Sequence, residues 1–172
     1  MLTLMLLRHA KAGDPEAGEK DIDRKLTRRG KRAAQAMGRY LAANGLTPDM
    51  VLCSPSRRTQ ETWRLAALEM PSQLPAIVDP ALYAFGDGGA LLDNLVRHAG
   101  KTATVLIVGH NPSIQELALR LSATGDKKLR ARLKTKYPTG ALATITFEFD
   151  NWSSAVQGGV LTGFVRPRDL IA

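Results

Sequence analysis

Cysteine and aromatic residues are scarce in this sequence, which limits the cross-links and metal sites the protein can form and the side chains that can build its core. A single cysteine, Cys53, occurs among 172 residues, which excludes an internal disulfide and any metal site built from several thiolates. Cys53 ends the apolar run from Met50, which predicts a small buried side chain. Aromatic residues make up 5% of the chain, so the core must be built mainly from Leu, Val, Ile and Ala.

Long apolar segments are also missing. The N-terminal run Met1–Leu7 is apolar, but it is short, has no basic start and is followed at once by Arg8 and His9. It fits neither a signal peptide nor a membrane-spanning helix, and no other run approaches the length needed to cross a bilayer. The sequence therefore predicts a cytoplasmic protein with no membrane partner.

Positive charge is in excess, with 24 Lys and Arg against 16 Asp and Glu and a formal net charge of +8. Such an excess favours anionic partners such as phosphate esters or acidic protein surfaces, or it serves solubility alone. The densest stretch is Lys127–Lys136, where six of ten residues are basic. Contact with an acidic phosphoprotein and a solvated surface both remain open for it. No aromatic residues interleave with these charges, so nucleic acid is not expected as a partner.

Apolar segments alternate with helical patterns, which predicts one α/β domain over residues 1–172, folded as a three-layer α/β/α sandwich. The main buried strands are predicted at Leu2–Leu7, Met50–Cys53 and Thr104–Val108. Helices are predicted from the N-cap Thr27 to Gly45, then at Arg57–Glu69, Leu91–His98 and Ile114–Leu121. Near the C-terminus, Ala141–Phe149 and Val156–Val165 are expected to pair as a hairpin around Asn151. The central sheet is then mixed and mostly parallel.

A chemically distinctive segment follows each of the three buried strands. Arg8 and His9 follow the first strand, Arg58 comes shortly after the second, and His110 and Asn111 follow the third. Because ligand sites in open α/β sheets lie beyond the carboxyl ends of the strands, these side chains are expected to share one crevice. A single His or Arg near a strand end is usually structural, but three such segments in order are hard to explain by chance.

Converging histidines and arginines suit phosphoryl transfer. Guanidinium groups bind phosphate through bidentate, charge-assisted hydrogen bonds, and a neutral imidazole is a competent nucleophile near pH 7. Nearby arginines repel imidazolium and so favour the neutral form. No cluster of Asp and Glu with metal-ligand spacing accompanies these segments. The sequence therefore predicts no metal and no other cofactor, and a metal-independent reaction through a phosphohistidine intermediate.

These segments resemble those of the histidine phosphatase superfamily, which has the phosphoglycerate mutase-like fold. The resemblance rests on Leu7-Arg8-His9-Ala10, Ser54-Pro55-x-x-Arg58-Thr59-x-x-Thr62 and Val108-Gly109-His110-Asn111. The chain is most similar to the small SixA-type phosphohistidine phosphatases. That branch shares the segments Arg24-x-Leu26-Thr27-x-x-Gly30, Tyr137–Ala141 and Phe164–Pro167. The similarity covers nearly the whole chain.

The resemblance implies a phosphate pocket and a role for each of its members. His9 would be the phosphorylated nucleophile, and Arg8 and Arg58 would bind phosphate oxygens. The remaining members would be His110 as the second pocket histidine, Arg24 from the loop before the first helix, and Asn111 as a weaker contact.

Two positions depart from the superfamily pattern. Ala10 stands where glycine is usual, and a positive φ there would strain it, so a conformation that alanine tolerates is expected. Glu61 stands where glutamine is frequent, and its helical spacing from Arg57 and Arg58 predicts a salt bridge. Arg57 lies off the family position and is expected to be solvated.

The sequence offers no clear proton donor for a leaving group. Larger members of the superfamily carry an acidic residue in an insertion, whereas this chain is short between Thr62 and Thr104. Asp87 is a candidate there, although its loop favours a turn role. An alkoxide leaves poorly without a proton, while the imidazole of phosphohistidine leaves more readily. This difference favours hydrolysis of phosphohistidine on a phosphotransfer protein.

Two other functions remain open at this point. One is hydrolysis of a small phosphate ester by an enzyme of the same superfamily. The other is phosphate or polyanion binding without catalysis, against which the intact pair His9 and His110 argues.

Overall fold

Seven strands form one sheet in the computed structural model, which describes residues 1–171. The strands are β1 (Leu2–Arg8), β2 (Met50–Cys53), β3 (Ile77–Val78), β4 (Thr104–Gly109), β5 (Ser122–Gly125), β6 (Leu142–Phe147) and β7 (Gly159–Val165). Their order across the sheet is β3-β2-β4-β1-β6-β7-β5. Within this sheet β6 alone runs antiparallel to its neighbours, and the other adjacent pairs are parallel. The predicted mixed, mostly parallel sheet is confirmed.

Helices cover both faces of the sheet. They are α1 (Arg28–Ala43), α2 (Arg57–Leu68), α3 (Gly89–Ala99), α4 (Ser113–Leu121), α5 (Lys127–Thr135) and α6 (Pro167–Leu170). One face packs against α1, α2 and α6 through Met37, Trp63 and neighbouring side chains. The other packs against α3, α4 and α5 through Leu95, Leu117 and Leu133. The predicted α/β/α sandwich is therefore confirmed. No helix within residues 1–171 is long and apolar enough to cross a membrane.

The apolar N-terminal run is the central strand β1, which is buried from both sides. Leu4 and Leu6 face one helical layer, while Met5 and Leu7 face the other. All four side chains are fully buried. Each contributes roughly 1.5–3 kcal/mol of hydrophobic stabilisation. A strand that is covered on both faces needs apolar side chains at every position, not at every second one. This requirement explains the continuous apolar sequence of β1.

The first helix begins where the sequence predicted. The Thr27 hydroxyl accepts a hydrogen bond from the Gly30 N–H at 3.0 Å, which satisfies one of the free donors at the start of α1. The chain leaves the helix through Gly45, whose φ of +65° suits glycine. Ser56 caps α2 in the same way, accepting from the Thr59 N–H at 3.3 Å.

The C-terminal hairpin forms, but the prediction that its second strand starts at Val156 is wrong. β6 and β7 pair in antiparallel fashion, and β7 begins only at Gly159. Val156 lies in a 3-10 helix, Trp152–Gln157. Asn151 caps this helix by accepting from the Ser154 N–H, and the Trp152 indole donates to the Thr102 carbonyl at 2.7 Å. These contacts hold the 3-10 helix against the core, so β7 begins at Gly159 rather than at Val156.

The basic stretch near residue 130 is a helix, α5. Asp126 caps it by accepting hydrogen bonds from the Lys128 and Leu129 N–H groups. Leu133 is buried, while the Lys and Arg side chains lie mostly at the surface. The short strand β5 precedes it at the edge of the sheet and was not predicted, because Ser122–Gly125 is short and polar.

Candidate active site

The strand order brings the three predicted segments to one edge of the sheet. β4 lies between β1 and β2, and all three are parallel, so their carboxyl ends are adjacent. The His9 N–H donates to the Gly109 carbonyl at 3.0 Å, and the ring centroids of His9 and His110 are 5.3 Å apart. A cavity of about 290 Å³, here called the central pocket, lies at this edge. It is lined by Arg8, His9, Lys11, Ala12, Asp21, Arg24, Arg58, Phe85, His110, Asn111 and Thr139.

His9 is held as a neutral imidazole, and within residues 1–171 only one of its ring nitrogens has a hydrogen-bond partner. Its Nδ1 lies 2.7 Å from the Ala10 carbonyl, which can only accept, so Nδ1 carries the proton and Nε2 carries the lone pair. Burial, with smaller repulsive contributions from Arg58, Arg8 and Arg24, lowers the pKa of His9 to about 4 despite the opposing hydrogen bond to Ala10. The arginines act in the predicted direction, although burial is the larger cause.

His110 is the second neutral histidine. Its Nδ1 lies 3.3 Å from an Arg58 guanidinium nitrogen, which can only donate, so the Nε2–H of His110 donates to the Ser54 hydroxyl at 2.8 Å. Burial lowers the pKa of His110 to about 3, with smaller contributions from His9 and Arg58. The Ser-Pro segment after β2 therefore fixes the ring that follows β4.

Arg58 is buried and Arg8 is half-buried, and backbone carbonyls hold both in place. Arg8 donates to the Tyr137 carbonyl at 2.8 Å, and Arg58 donates to the Asp21 carbonyl at 2.7 Å and to the Asp21 carboxylate at 3.0 Å. The Nε–H of each arginine is buried and has no acceptor among residues 1–171. Because an unpaired buried donor is costly, both groups suit an added anionic acceptor.

Arg24 also reaches the pocket and is held in place. It follows the 3-10 turn Asp21–Asp23 and donates to the Gly13 carbonyl and to the Asp21 carboxylate, both at 2.9 Å. Its side chain is 25% exposed, so the guanidinium lies at the boundary between the pocket and solvent. All six residues predicted for the site therefore line one cavity.

Comparison with known proteins agrees with this geometry. A model of the histidine phosphatase superfamily (branch 1) matches residues 4–87, which include His9, Arg24 and Arg58. The chain is also 32% identical over 165 residues to an uncharacterized protein of Mycobacterium tuberculosis, covering 94% of this chain and all of the relative. The chain belongs to the histidine phosphatase superfamily. This membership confirms the predicted family and the predicted enzyme class, a phosphatase.

Solved structures share the whole fold of this histidine phosphatase. A protein from Nakamurella multipartitia, named as a candidate phosphohistidine phosphatase SixA, is 28% identical with a TM-score of 0.81. The match covers 99% of this chain and 97% of that one. A protein histidine phosphatase SixA, solved with tungstate, has the same fold at 24% identity, with a TM-score of 0.77 and 98% and 99% coverage. The predicted phosphoglycerate mutase-like, SixA-like architecture is confirmed.

Asp21 is a pocket residue that sequence reasoning missed. Its carboxylate accepts hydrogen bonds from Tyr83, Arg24 and Arg58. The Tyr83 hydrogen bond and the two guanidinium groups hold the pKa of Asp21 well below its ordinary value, so this carboxyl is ionised at neutral pH. A lone Asp in an exposed loop gives no sequence signal that it contacts an arginine 37 residues away. Within residues 1–171, no three His, Cys, Asp or Glu side chains form a group that could hold a metal ion.

Asn111 lines the pocket of the phosphatase, but its amide is engaged in holding the loop. Its Nδ2–H donates to the Tyr137 carbonyl at 3.2 Å, and its Oδ1 accepts from the Gln115 N–H at 3.2 Å. Asp87, the candidate acid, does not line the pocket. Its carboxylate accepts from the Gly89 N–H at 2.9 Å at the start of α3, which is the turn role that the sequence favoured.

Two aromatic rings border the pocket and were not assigned to it from the sequence. Phe85 lies 4.8 Å from His110 between ring centroids, and Tyr83 packs edge-on against both rings. Phe85 is 48% exposed, so part of its ring faces solvent at the pocket mouth.

The two departures from the superfamily pattern behave as expected. No residue other than glycine within 1–171 has a positive φ, so Ala10 is unstrained, and its N–H donates to the Thr62 hydroxyl at 3.0 Å. Glu61 accepts from Arg57 at 2.8 Å in an exposed salt bridge on α2.

Proposed function

We propose that this histidine phosphatase hydrolyses phosphohistidine on a protein, through a phosphohistidine formed transiently on His9. The observation that carries the proposal is the state of Asp21. It is the only carboxylic acid among the described residues that line the central pocket, and three donors hold it ionised. A pocket without a carboxylic acid to donate a proton suits a substrate whose leaving group departs readily, as the imidazole of a phosphoramidate does.

The proposed reaction has two steps. In the first, Nε2 of His9 attacks phosphorus as the phosphorus–nitrogen bond to the substrate imidazole breaks, and that imidazole leaves with the bonding electron pair and takes a proton from solvent. In the second, water attacks the phosphoryl group on His9, which releases inorganic phosphate and restores the neutral ring. The Nδ1–H bond to the Ala10 carbonyl keeps Nε2 directed and unprotonated throughout.

The arginines supply the electrostatic stabilisation in this scheme. Arg8, Arg24 and Arg58 are already fixed on protein acceptors, so little reorganisation is needed when charge develops on the phosphoryl oxygens. A bound phosphoryl anion also raises the pKa of His110 from its low value, since an opposite charge favours the imidazolium form. Once protonated, His110 no longer accepts from Arg58, so its new Nδ1–H donates to a phosphoryl oxygen instead while its Nε2–H stays on the Ser54 hydroxyl. The proposed reaction uses no metal, and we expect activity to withstand EDTA.

The aromatic border of the pocket supports a ring-shaped leaving group. Phe85 presents a partly exposed face beside His110, where the imidazole of the substrate can stack as it leaves. The names of the similar SixA structures point to the same substrate class, and the SixA protein solved with tungstate holds an oxyanion that resembles phosphate. We expect tungstate or vanadate to inhibit this enzyme as well.

The test compares kcat/KM at pH 7 for a phosphohistidine peptide, an aryl phosphate and an alkyl phosphate. We expect the phosphohistidine peptide to be the best substrate and the alkyl phosphate the worst. The difference in kcat/KM from the phosphohistidine peptide should be smaller for the aryl phosphate than for the alkyl phosphate, because an aryl oxide is the better leaving group. The variant Asp87→Asn is the matched control and should keep the same order. A sugar phosphate or phosphoglycerate that outperforms the peptide would favour the small-molecule alternative.

A further inference from the structure

A second cavity adjoins the central pocket and is strongly basic. Its volume is about 410 Å³, and six of its ten lining residues are Lys or Arg. We call it the basic groove, and its basic residues are Arg8, Lys11, Arg29, Lys136, Arg166 and Arg168. Arg8, Lys11 and Thr139 line both cavities, so the groove begins where the phosphoryl site ends.

Separate parts of the chain are folded together to make this groove. Lys11 follows β1, Arg29 lies in the first turn of α1, and Lys136 directly follows α5. The loop and the helix are tightly packed, because the Thr27 N–H donates to the Lys11 carbonyl at 2.9 Å and a Cβ at Gly30 would collide with that carbonyl. The juxtaposition of Lys11 and Arg29 is therefore fixed by backbone contacts.

The positive charge of the groove is largely uncompensated. Arg166 is paired with Asp169 at 2.8 Å, and this carboxylate is shared with Arg132 on α5. Among residues 1–171, Lys11, Arg29, Lys136 and Arg168 have no carboxylate partner. Like charges gathered around one cavity repel each other and attract anions, so the groove is built for a negatively charged ligand.

The groove continues beyond the reach of a small phosphate ester. A neighbouring cavity of about 330 Å³ shares Arg29 and Arg168 with it and adds Arg32. On the other side, Lys136 ends the basic stretch of α5, whose charged side chains lie mostly at the surface. A positive surface that starts at the phosphoryl site and extends over several helices matches an extended anionic ligand.

We propose that the basic groove binds acidic side chains of the phosphoprotein whose phosphohistidine enters the central pocket. This inference rests on the proposed function and defines its substrate as a protein with Asp or Glu residues near the phosphorylated histidine. The groove selects the substrate and accelerates the encounter, while the central pocket performs the chemistry.

The test uses two phosphohistidine peptides that differ only in three flanking residues, Asp or Glu in one and Asn or Gln in the other. We expect kcat/KM for the acidic peptide to be about tenfold higher or more at low salt, and the preference to shrink as salt screens the charges. The double variant Arg29→Ala, Arg168→Ala should bring the ratio close to one. Because both peptides are assayed on one enzyme preparation, a change in the folded fraction cancels from the ratio.

The control is a second double variant, Lys101→Ala with Arg120→Ala, which also removes two positive charges but from residues outside the basic groove. Both residues are exposed, and Lys101 precedes β4 at the opposite edge of the sheet. This control should keep the preference for the acidic peptide. A wild-type ratio near one, or a ratio that survives loss of Arg29 and Arg168, would overturn the inference while leaving phosphohistidine turnover intact.

Two further outcomes separate this inference from the proposed function. If neither peptide is hydrolysed but a small phosphate ester is, the proposed function itself fails. If a small ester with a second phosphate is hydrolysed faster than the acidic peptide and depends on Arg29 and Arg168, the groove binds that phosphate and the protein partner is wrong.

Discussion

The central pocket and the basic groove are both rich in arginine, but the two regions hold their charges differently. In the pocket, Arg8, Arg24 and Arg58 each donate to a backbone carbonyl, and Arg58 is almost fully buried. In the groove, Lys11 and Arg29 are exposed and have no carboxylate partner among residues 1–171. Fixed, desolvated donors stabilise a transition state, whereas exposed charges are screened by salt and act mainly on encounter.

This difference separates two kinds of kinetic effect within one small enzyme. Substitutions in the central pocket should lower kcat by a factor that changes little with salt. Substitutions in the basic groove should act on kcat/KM, depend on the substrate and vanish at high salt. The boundary falls at Arg8 and Lys11, which line both cavities.

The largest effect is expected for the nucleophile. His9→Ala should reduce turnover by at least about 10⁴-fold, because the variant has no ring nitrogen to accept the phosphoryl group. The substitution removes a buried polar side chain beside a strand end, and circular dichroism should show the fold retained. Turnover of His9→Ala comparable to that of the wild type would contradict the assigned role.

A smaller but still large effect is expected for Arg24. Arg24→Ala removes one fixed donor and should lower turnover by roughly 10² to 10³, or about 2.7–4 kcal/mol of transition-state stabilisation. Arg28→Ala is the matched control, since Arg28 is exposed and lines neither cavity. The next residue, Arg29, lines the basic groove and is therefore unsuitable as a control. Equal losses in Arg24→Ala and Arg28→Ala would contradict the assignment of Arg24 to the pocket.

The smallest effect concerns stability and pH. The pKa of folded His9 is lowered to about 4 from an ordinary value of 6.5, so the folded state binds fewer protons than the unfolded state between these values. The resulting stability is fully present above pH 6.5 and is lost as the pH falls towards 4. The free energy of unfolding should fall less steeply with acidification in His9→Asn, by up to about 1.4 kcal/mol per pH unit.

Denaturant unfolding at several pH values between 6.5 and 4 measures this slope. Arg29→Ala is the control from the groove and should keep the slope of the wild type. An unchanged slope in His9→Asn would mean that His9 is not held neutral in the folded protein.

Much of the fold and most of the pocket could be predicted because the signals are local. The continuous apolar run of β1 indicates a strand buried on both faces, and Thr27 and Gly45 mark the ends of α1 by their capping chemistry. His9 and His110 directly follow predicted parallel strands, and the general rule for α/β sheets then places them together.

The features that were missed depend on contacts between distant segments. Asp21 contacts Arg58 across 37 residues, and nothing in its own loop marks it as a pocket residue. Arg28 and Arg29 are adjacent arginines in the first turn of α1, and the sequence does not distinguish them. Only the packing of α1 against the Lys11 loop brings Arg29 to the groove. The strand predicted at Val156 failed because Trp152 anchors a 3-10 helix to the core through the Thr102 carbonyl.

Trapping the phosphoenzyme tests the central claim most directly. The wild-type enzyme is mixed for milliseconds with a substrate labelled on its phosphoryl group, quenched with alkali, digested and mapped by mass spectrometry. We expect the label on His9 alone, in a bond that is stable to base and labile to acid, as a phosphoramidate is, and no label in His9→Ala. Label on another side chain, or full single-turnover hydrolysis by His9→Ala, would contradict the account.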